Sequence, residues 1–168
     1  MAKADKNKQT EFPQAGTRDP WGDFREIEIL DLHWEQHYRH SLGKYSRFFN
    51  ELENKRFLAT KCPQCAKVWA PPRPLCPDCL QITEWQELSG KGTLASFSVM
   101  HYAPSMTAYL ETPYVLAYVK LEGADTLFAH LLKNYSSLDA IQIGMLVKVV
   151  YQAGPVDHPI HRMVFEPV

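Results

Sequence analysis

From residue 93 to the C-terminus the pattern is one of short strands. Over 93–102, Leu94, Ser96, Ser98 and Met100 alternate with Ala95, Phe97, Val99 and His101, the period of two expected for a strand. Residues 114–121 are almost wholly apolar, Glu122-Gly123-Ala124-Asp125 carries turn chemistry, and 126–132 returns as a third strand. A short helical or turn segment over 135–141 precedes a fourth strand at 144–152 and a fifth at 160–165. Five short strands with a small helix between the third and fourth predict an OB-type Greek-key barrel over 92–168. Its two long loops, 103–113 and 153–159, flank the binding face in that architecture.

Upstream the period changes. Trp34, Tyr38, Leu42, Tyr45, Phe48, Phe49 and Leu52 fall on one helical stripe, with Asp31 as the N-cap. Gly43 weakens the middle, so the pattern predicts one helix or two, over 32–42 and 45–54. A stripe this aromatic has two readings. It is a helix face packed on the rest of the chain, or a subunit interface through Trp34, Tyr38, Tyr45, Phe48 and Phe49. His33, His37 and His40 share one side of the first helix, but Gln36 would join them there and Glu35 lies on the opposite face. They read as a solvated or interface surface, not a metal site. Residues 1–30 are mostly polar and are expected to form a flexible arm, although Trp21 and Phe24 suggest that part of it docks.

Between helix and barrel the pattern predicts strands at 56–61, 67–69 and 82–88, a stiff connection through Pro71, Pro72 and Pro74, and a hinge at 89–92. This middle stretch, 56–91, holds the chain's only cysteines: Cys62 and Cys65, then Cys76 and Cys79. Each CxxC turn can set two thiolates on one side of an ion. Four thiolates in a tetrahedron form a structural zinc site with no open position, and iron in a rubredoxin-like site is the alternative that the spacing leaves open. A thioredoxin-type motif would use one CxxC pair, not two. The whole is therefore α+β: N-terminal helices over 31–55, a four-cysteine zinc ribbon and a five-stranded OB-type barrel.

Composition narrows the function. The chain has 168 residues, 45% apolar and 22% charged, with a net charge of −1, which suits a soluble globular protein and argues against binding that depends on neutralising phosphates. Residues 92–168 hold four Lys/Arg against six Asp/Glu, and the loop 103–113 has no basic residue, so an oligonucleotide-reading barrel is not expected. No run approaches the ~20 apolar residues of a membrane span. The polar first 20 residues carry no signal-like apolar core, and reduced cysteines point to the cytoplasm. One segment is locally basic: Lys55, Arg56, Lys61, Lys67 and Arg73 occur between Asn54 and Pro77 with no acid among them.

Several of these stretches together resemble the DUF35 family: Lys61-Cys62-Pro63-Gln64-Cys65, Trp69-Ala70-Pro71-Pro72-Arg73-Pro74-Leu75-Cys76-Pro77, Glu84-Trp85, Gly90-Lys91-Gly92-Thr93-Leu94, Pro113-Tyr114-Val115-Leu116 and Ile143-Gly144-Met145-Leu146-Val147. The resemblance runs from about residue 31 to the end, and Ala66 stands where the family usually has glycine. It implies an OB barrel with a rubredoxin-like zinc ribbon, and a role beside thiolase-like or ketosynthase-like enzymes of acyl-CoA chemistry. Settings of that kind include steroid side-chain aldolases, a phloroglucinol acetyltransferase complex and benzoylsuccinyl-CoA thiolase.

The chain has no evident catalytic machinery of its own. A thiolase needs a nucleophilic cysteine, a base and an oxyanion hole, and the metal takes every cysteine. A zinc ion closed in by four cysteines leaves no site for water. His101, His130, His158 and His161 have no nucleophile beside them, although His101 and Tyr102 could line a channel at the first loop. The expected role is a non-catalytic zinc subunit of a thiolase-type complex. Lys55, Arg56, Lys61, Lys67 and Arg73 would then serve the CoA phosphates, with a solvated basic face as the plain alternative. A stand-alone acyl-CoA-binding module, an acetyltransferase or aldolase subunit, and, last, a nucleic-acid-binding protein are the other readings.

Overall fold

A computed structural model describes residues 34–36, 38–39, 41–104, 107 and 109–168. The chain divides into two units, 1–39 and 40–168. In the first, the described residues Trp34, Glu35, Gln36, Tyr38 and Arg39 carry no helix, nor do Ser41 and Leu42 of the second. The predicted helix over 32–42 is thus not formed among the described residues. Gly43, at φ +55°, is left-handed and stops a helix from running through into the next turn. Asp31, His33, His37, His40 and the arm 1–30 lie outside the described residues.

The second predicted helix does form. A 3-10 turn over Gly43–Tyr45 leads into α1, Ser46–Glu53. One face of α1 is apolar, so Phe48 and Leu52 are buried. Three strands follow: β1 (Phe57–Lys61), β2 (Val68–Trp69) and β3 (Glu84–Leu88). They pair antiparallel in the order β2-β1-β3. The remaining five close into a barrel: β4 (Lys91–Met100), β5 (Tyr114–Leu121), β6 (Leu127–Leu132), β7 (Leu146–Tyr151) and β8 (Met163–Pro167). The order β4-β5-β6-β8-β7 is that of an OB barrel, with β6 and β8 meeting parallel at Leu132 and Phe165. A bulge between Leu94 and Ser96 lets β4 bend between β5 and β7. Gly92 sits where β4 crosses β5 so closely that a Cβ would meet the Cα of Leu121 at 2.9 Å.

Residues 89–92 do not act as the expected hinge. Lys91 and Gly92 already pair with Lys148 and Val147, and one core runs through helix, ribbon and barrel. Four phenylalanines mark its course. Phe48 of α1 lies 5.6 Å from Phe57 of β1, Phe57 lies 5.2 Å from Phe128 of β6, and Phe128 lies 6.1 Å from Phe165 of β8. All three contacts are edge-to-face, the favoured aromatic arrangement.

The turn between β5 and β6 completes the joint. Asp125 accepts from the Val68 N–H through Oδ2 at 2.7 Å and returns its own N–H to the Val68 carbonyl at 2.9 Å. Thr126 Oγ1 makes the same exchange with Ala70, at 2.9 and 2.8 Å. These bonds extend β2 onto the barrel turn in place of a fourth ribbon strand. An Asp125→Ala variant is expected to leave the buried Val68 amide unpaired and to lower stability by about 1–3 kcal/mol, measurable by urea unfolding; an unchanged midpoint would exclude the joint.

Candidate metal centre and its surroundings

The two CxxC turns are built alike. In the first, Ala66 N–H donates to the Cys62 carbonyl at 3.0 Å and Cys62 N–H to Lys67 O at 2.9 Å; in the second, Leu80 N–H donates to Cys76 O at 2.8 Å and Cys76 N–H to Gln81 O at 2.9 Å. Each turn closes on a left-handed residue directly after its second cysteine, Ala66 at φ 61° and Leu80 at φ 55°. Neither is a glycine, so both turns carry backbone strain of about 1–2 kcal/mol per residue.

The turns bring four sulfurs together. All four Sγ atoms lie within 4.8 Å of one another, and Cys65 and Cys76 Sγ are 3.7 Å apart. A tetrahedron with metal–sulfur bonds of about 2.3 Å has edges of about 3.8 Å, so the donor set fits zinc. Their protons are already unequal. Burial opposes ionisation of Cys76, but the backbone N–H groups of Cys79 and Asp78 and its thiol neighbours outweigh burial and bring it down to about 7. Cys79 is pushed up to about 12, by hydrogen bonding with Cys65 and then by burial.

The Pro-rich connection is fixed from within. Thr60, buried on β1, accepts from Arg73 N–H at 2.8 Å and donates to the Arg73 carbonyl at 3.1 Å; Thr83 donates to that carbonyl from the other side. Trp69 forms a small core with buried Cys62 and Cys76, and Cys79 packs against that core. Lys67 Nζ stands 4.4 Å and the Arg73 guanidinium 5.6 Å from its ring.

Of the five basic residues, two are committed to carboxylates. Arg56 donates to Glu87 at 2.7 and 2.9 Å and to Glu51 at 2.9 Å, and those bonds, Glu87 first, hold its guanidinium still more firmly protonated. Lys67 bonds Asp78 at 3.0 Å, tying the first cysteine turn to the second, and this bond raises its pKa. Lys61 faces Glu84 across the β1–β3 pair. Lys55 lies past the end of α1, in a cleft of about 330 Å³ shared with Glu53 and Arg162. Arg56 and Lys61 bracket opposite ends of β1. The sequence showed the charges but not these partners, which come from α1, β3 and the second CxxC. A zinc ion held by four thiolates carries a net double negative charge, so Lys67 and Arg73 beside it already have an electrostatic role.

The aromatic stripe divides in the same way. Phe48 is 3% exposed and belongs to the core, which corrects its expected place in an interface. Phe49 is half-buried, edge-on to His158 at 5.7 Å. Tyr45 is 39% exposed, and Trp34 and Tyr38 more so. The histidines hold structure. Buried His130 bonds the carbonyls of Ile160 and Met163, at 3.1 and 2.8 Å, through Nε2, and burial lowers its pKa. His158 Nδ1 accepts from Ile160 N–H and caps the 3-10 turn Pro159–Arg162. His161 Nε2 meets Tyr109 Oη at 2.9 Å, joining the two long loops. His101 and Tyr102 are exposed past the end of β4. No helix among the described residues is long and apolar enough to cross a membrane.

A pair of cysteine knuckles fused through a common core to an OB barrel defines a zinc-ribbon/OB protein. Family models bear this out over both parts: the rubredoxin-like zinc ribbon domain of ChsH2 matches residues 49–81, and its C-terminal OB-fold domain matches 85–152. The chain belongs to the DUF35 family. It is 33% identical over 97 residues to a DUF35 domain-containing scaffold protein of Methanocaldococcus jannaschii, covering 56% of this chain and 67% of that one. A probable enoyl-CoA hydratase alpha subunit of Thermomonospora curvata is 32% identical over 102 residues, 60% of this chain and 30% of that protein. Among solved structures, a chain of the Ltp2-ChsH2(DUF35) aldolase superposes with a TM-score of 0.61 and 26% identity, over 77% of this chain and 98% of the other.

Proposed function

We propose that this chain is a cytoplasmic, non-catalytic zinc subunit of a thiolase-type enzyme that cleaves or forms a C–C bond in an acyl-CoA, as in benzoylsuccinyl-CoA thiolase. It would stabilise a thiolase-like or ketosynthase-like catalytic partner and help form the CoA and acyl site. The observation that carries this reading is the commitment of all four thiols to one metal centre, in a chain whose fold accounts for nearly the whole DUF35 chain of an aldolase. Covalent thiol chemistry then has to come from another polypeptide. Tyr45, Trp34 and Tyr38 are the exposed aromatics offered to that partner. Lys55, Lys61 and Arg73, which have no ion pair among the described residues, are the cations left for phosphates.

A second reading, the subunit of an aldolase, is favoured by the likeness to the Ltp2-ChsH2(DUF35) aldolase chain. One experiment separates the two. The tagged chain is purified from its own host, the co-purifying catalytic chain is identified by mass spectrometry, and the pair is reconstituted and assayed for CoA-dependent thiolysis and for retro-aldol cleavage. Thiolysis that needs both chains supports the thiolase reading, and retro-aldol cleavage supports the second. A chain that is monomeric, retains no CoA-dependent enzyme and binds CoA thioesters tightly by itself sinks both.

A further inference from the structure

The indole N–H of Trp69 is buried and has no hydrogen-bond partner among the described residues. A buried indole usually finds an acceptor, and an orphaned donor of this kind asks for an explanation, a bound ion among them. Its place in the ribbon supplies one. Trp69 pairs with Thr60 across the β1–β2 ladder, and the face of β1 that carries Thr60 continues to Cys62, because alternate side chains of an extended chain share a face. Trp69 shares its small core with Cys62 and Cys76, both 0% exposed. The side-chain acceptors in that core are sulfurs. The charged groups against the ring are cations, Lys67 Nζ at 4.4 Å and the Arg73 guanidinium at 5.6 Å, and neither accepts a hydrogen bond. Both are held in place, Lys67 by Asp78 at 3.0 Å and Arg73 through its backbone by Thr60.

We infer that the Trp69 indole N–H donates to a metal-bound sulfur of the buried pair, Cys62 or Cys76, and that Trp69 is a positioning residue of the metal centre. A thiol is a weak acceptor. A coordinated cysteine is a thiolate, and a thiolate takes a charge-assisted bond of about twice the strength of a neutral one. The donor set carries more negative charge than one divalent ion cancels, and an N–H dipole aimed at a sulfur helps to hold the excess. Lys67 and Arg73 draw charge from the face of the ring and so make its N–H a better donor. Partners of this kind orient the ligands and tune the metal. Phenylalanine would fill much of the same core without the donor, so one substitution separates packing from donation. The inference concerns the metal centre alone and stands or falls independently of the catalytic chain that the protein serves.

The test is cobalt(II) substitution of the full chain, in the parent and in Trp69→Phe. A hydrogen bond to sulfur stabilises its lone pairs, so removing the donor is expected to move the thiolate-to-cobalt charge-transfer band to lower energy. Zinc affinity, measured by competition with a chromophoric chelator, is expected to fall by about 10–100-fold. Far-UV circular dichroism of the metal-loaded variant shows whether ribbon and barrel stay folded. The band decides, because a residue that only packs can weaken affinity or lower the melting temperature without moving it. An unmoved band in a folded, cobalt-loaded Trp69→Phe protein overturns the inference, whatever the affinity does. If the variant does not fold, NMR of the parent loaded with a magnetically active cadmium isotope decides instead. A scalar coupling between the metal nucleus and the Trp69 indole proton is expected, since it passes through a sulfur that is bonded to the metal and accepts from that proton. A Trp69 indole proton that shows no such coupling overturns the inference.

Discussion

Cys76→Ser is expected to leave the protein without stoichiometric zinc and with an unfolded ribbon. Cys76 is fully buried and lies 3.7 Å from Cys65 Sγ, so its side chain can reach neither solvent nor another ligand. A serine hydroxyl keeps its proton at neutral pH and does not replace a thiolate. Zinc binding to such sites amounts to about 10–16 kcal/mol of apparent free energy, and that energy is folding energy. Without it, the strained turns at Ala66 and Leu80 lose what holds them closed. Trp69, which shares a small core with Cys62 and Cys76, would be released to solvent. The measurements are zinc per chain by elemental analysis and Trp fluorescence on chelation of the parent. A red shift that follows zinc loss is expected in both, and assembly with a catalytic partner should fail alongside. A Cys76→Ser protein with full zinc and an unshifted spectrum would show that this is not a four-cysteine centre.

The metal centre was legible in the sequence because its geometry is local. Two CxxC turns need only their own residues to place two sulfurs each, and the ion joins the pairs. The strands with a clear period were equally plain: 114–121 coincides with β5, Tyr114–Leu121. Boundaries set by distant partners were not. β4 begins at Lys91 because Lys91 and Gly92 find β7 residues to pair with. β8 begins only at Met163 because His158 caps a 3-10 turn over Pro159–Arg162, where the pattern had placed strand. Among the described residues of 32–42 no helix forms, for a different reason. Its stripe had the right period, but aromatic and histidine residues are weak helix formers, and Gly43 interrupts the run.

The surroundings of the site were less visible still. A run of five basic residues without an acid looked like an anion-binding face. Two of the five, Arg56 and Lys67, have counter-charges on Glu51 of α1, Glu87 of β3 and Asp78 inside the second CxxC. Pairing across elements has no signature within a window of sequence.

Phe57→Ala is expected to cost about 3–5 kcal/mol, a large part of the ~5–15 kcal/mol that holds a typical domain. Phe57 is 1% exposed and sits between Phe48 and Phe128, 5.6 and 5.2 Å away. Truncation removes both edge-to-face pairs and leaves a cavity. Three elements frame that cavity, α1, β1 and β6, and each is fixed by its own sheet or helix, so collapse around it is limited. The effect also reports on architecture. Phe57 belongs to the ribbon sheet, yet its neighbours belong to the helix and the barrel. If the core is continuous, urea unfolding followed by Trp fluorescence and by far-UV circular dichroism should give one transition, moved as a unit to lower urea. Zinc content in the native baseline should be unchanged, because the cysteine turns lie beyond the far end of β1 from Phe57. A two-step curve in which only one step moves would mean that ribbon and barrel fold separately, and that residues 89–92 are the hinge that the composition of that stretch suggests.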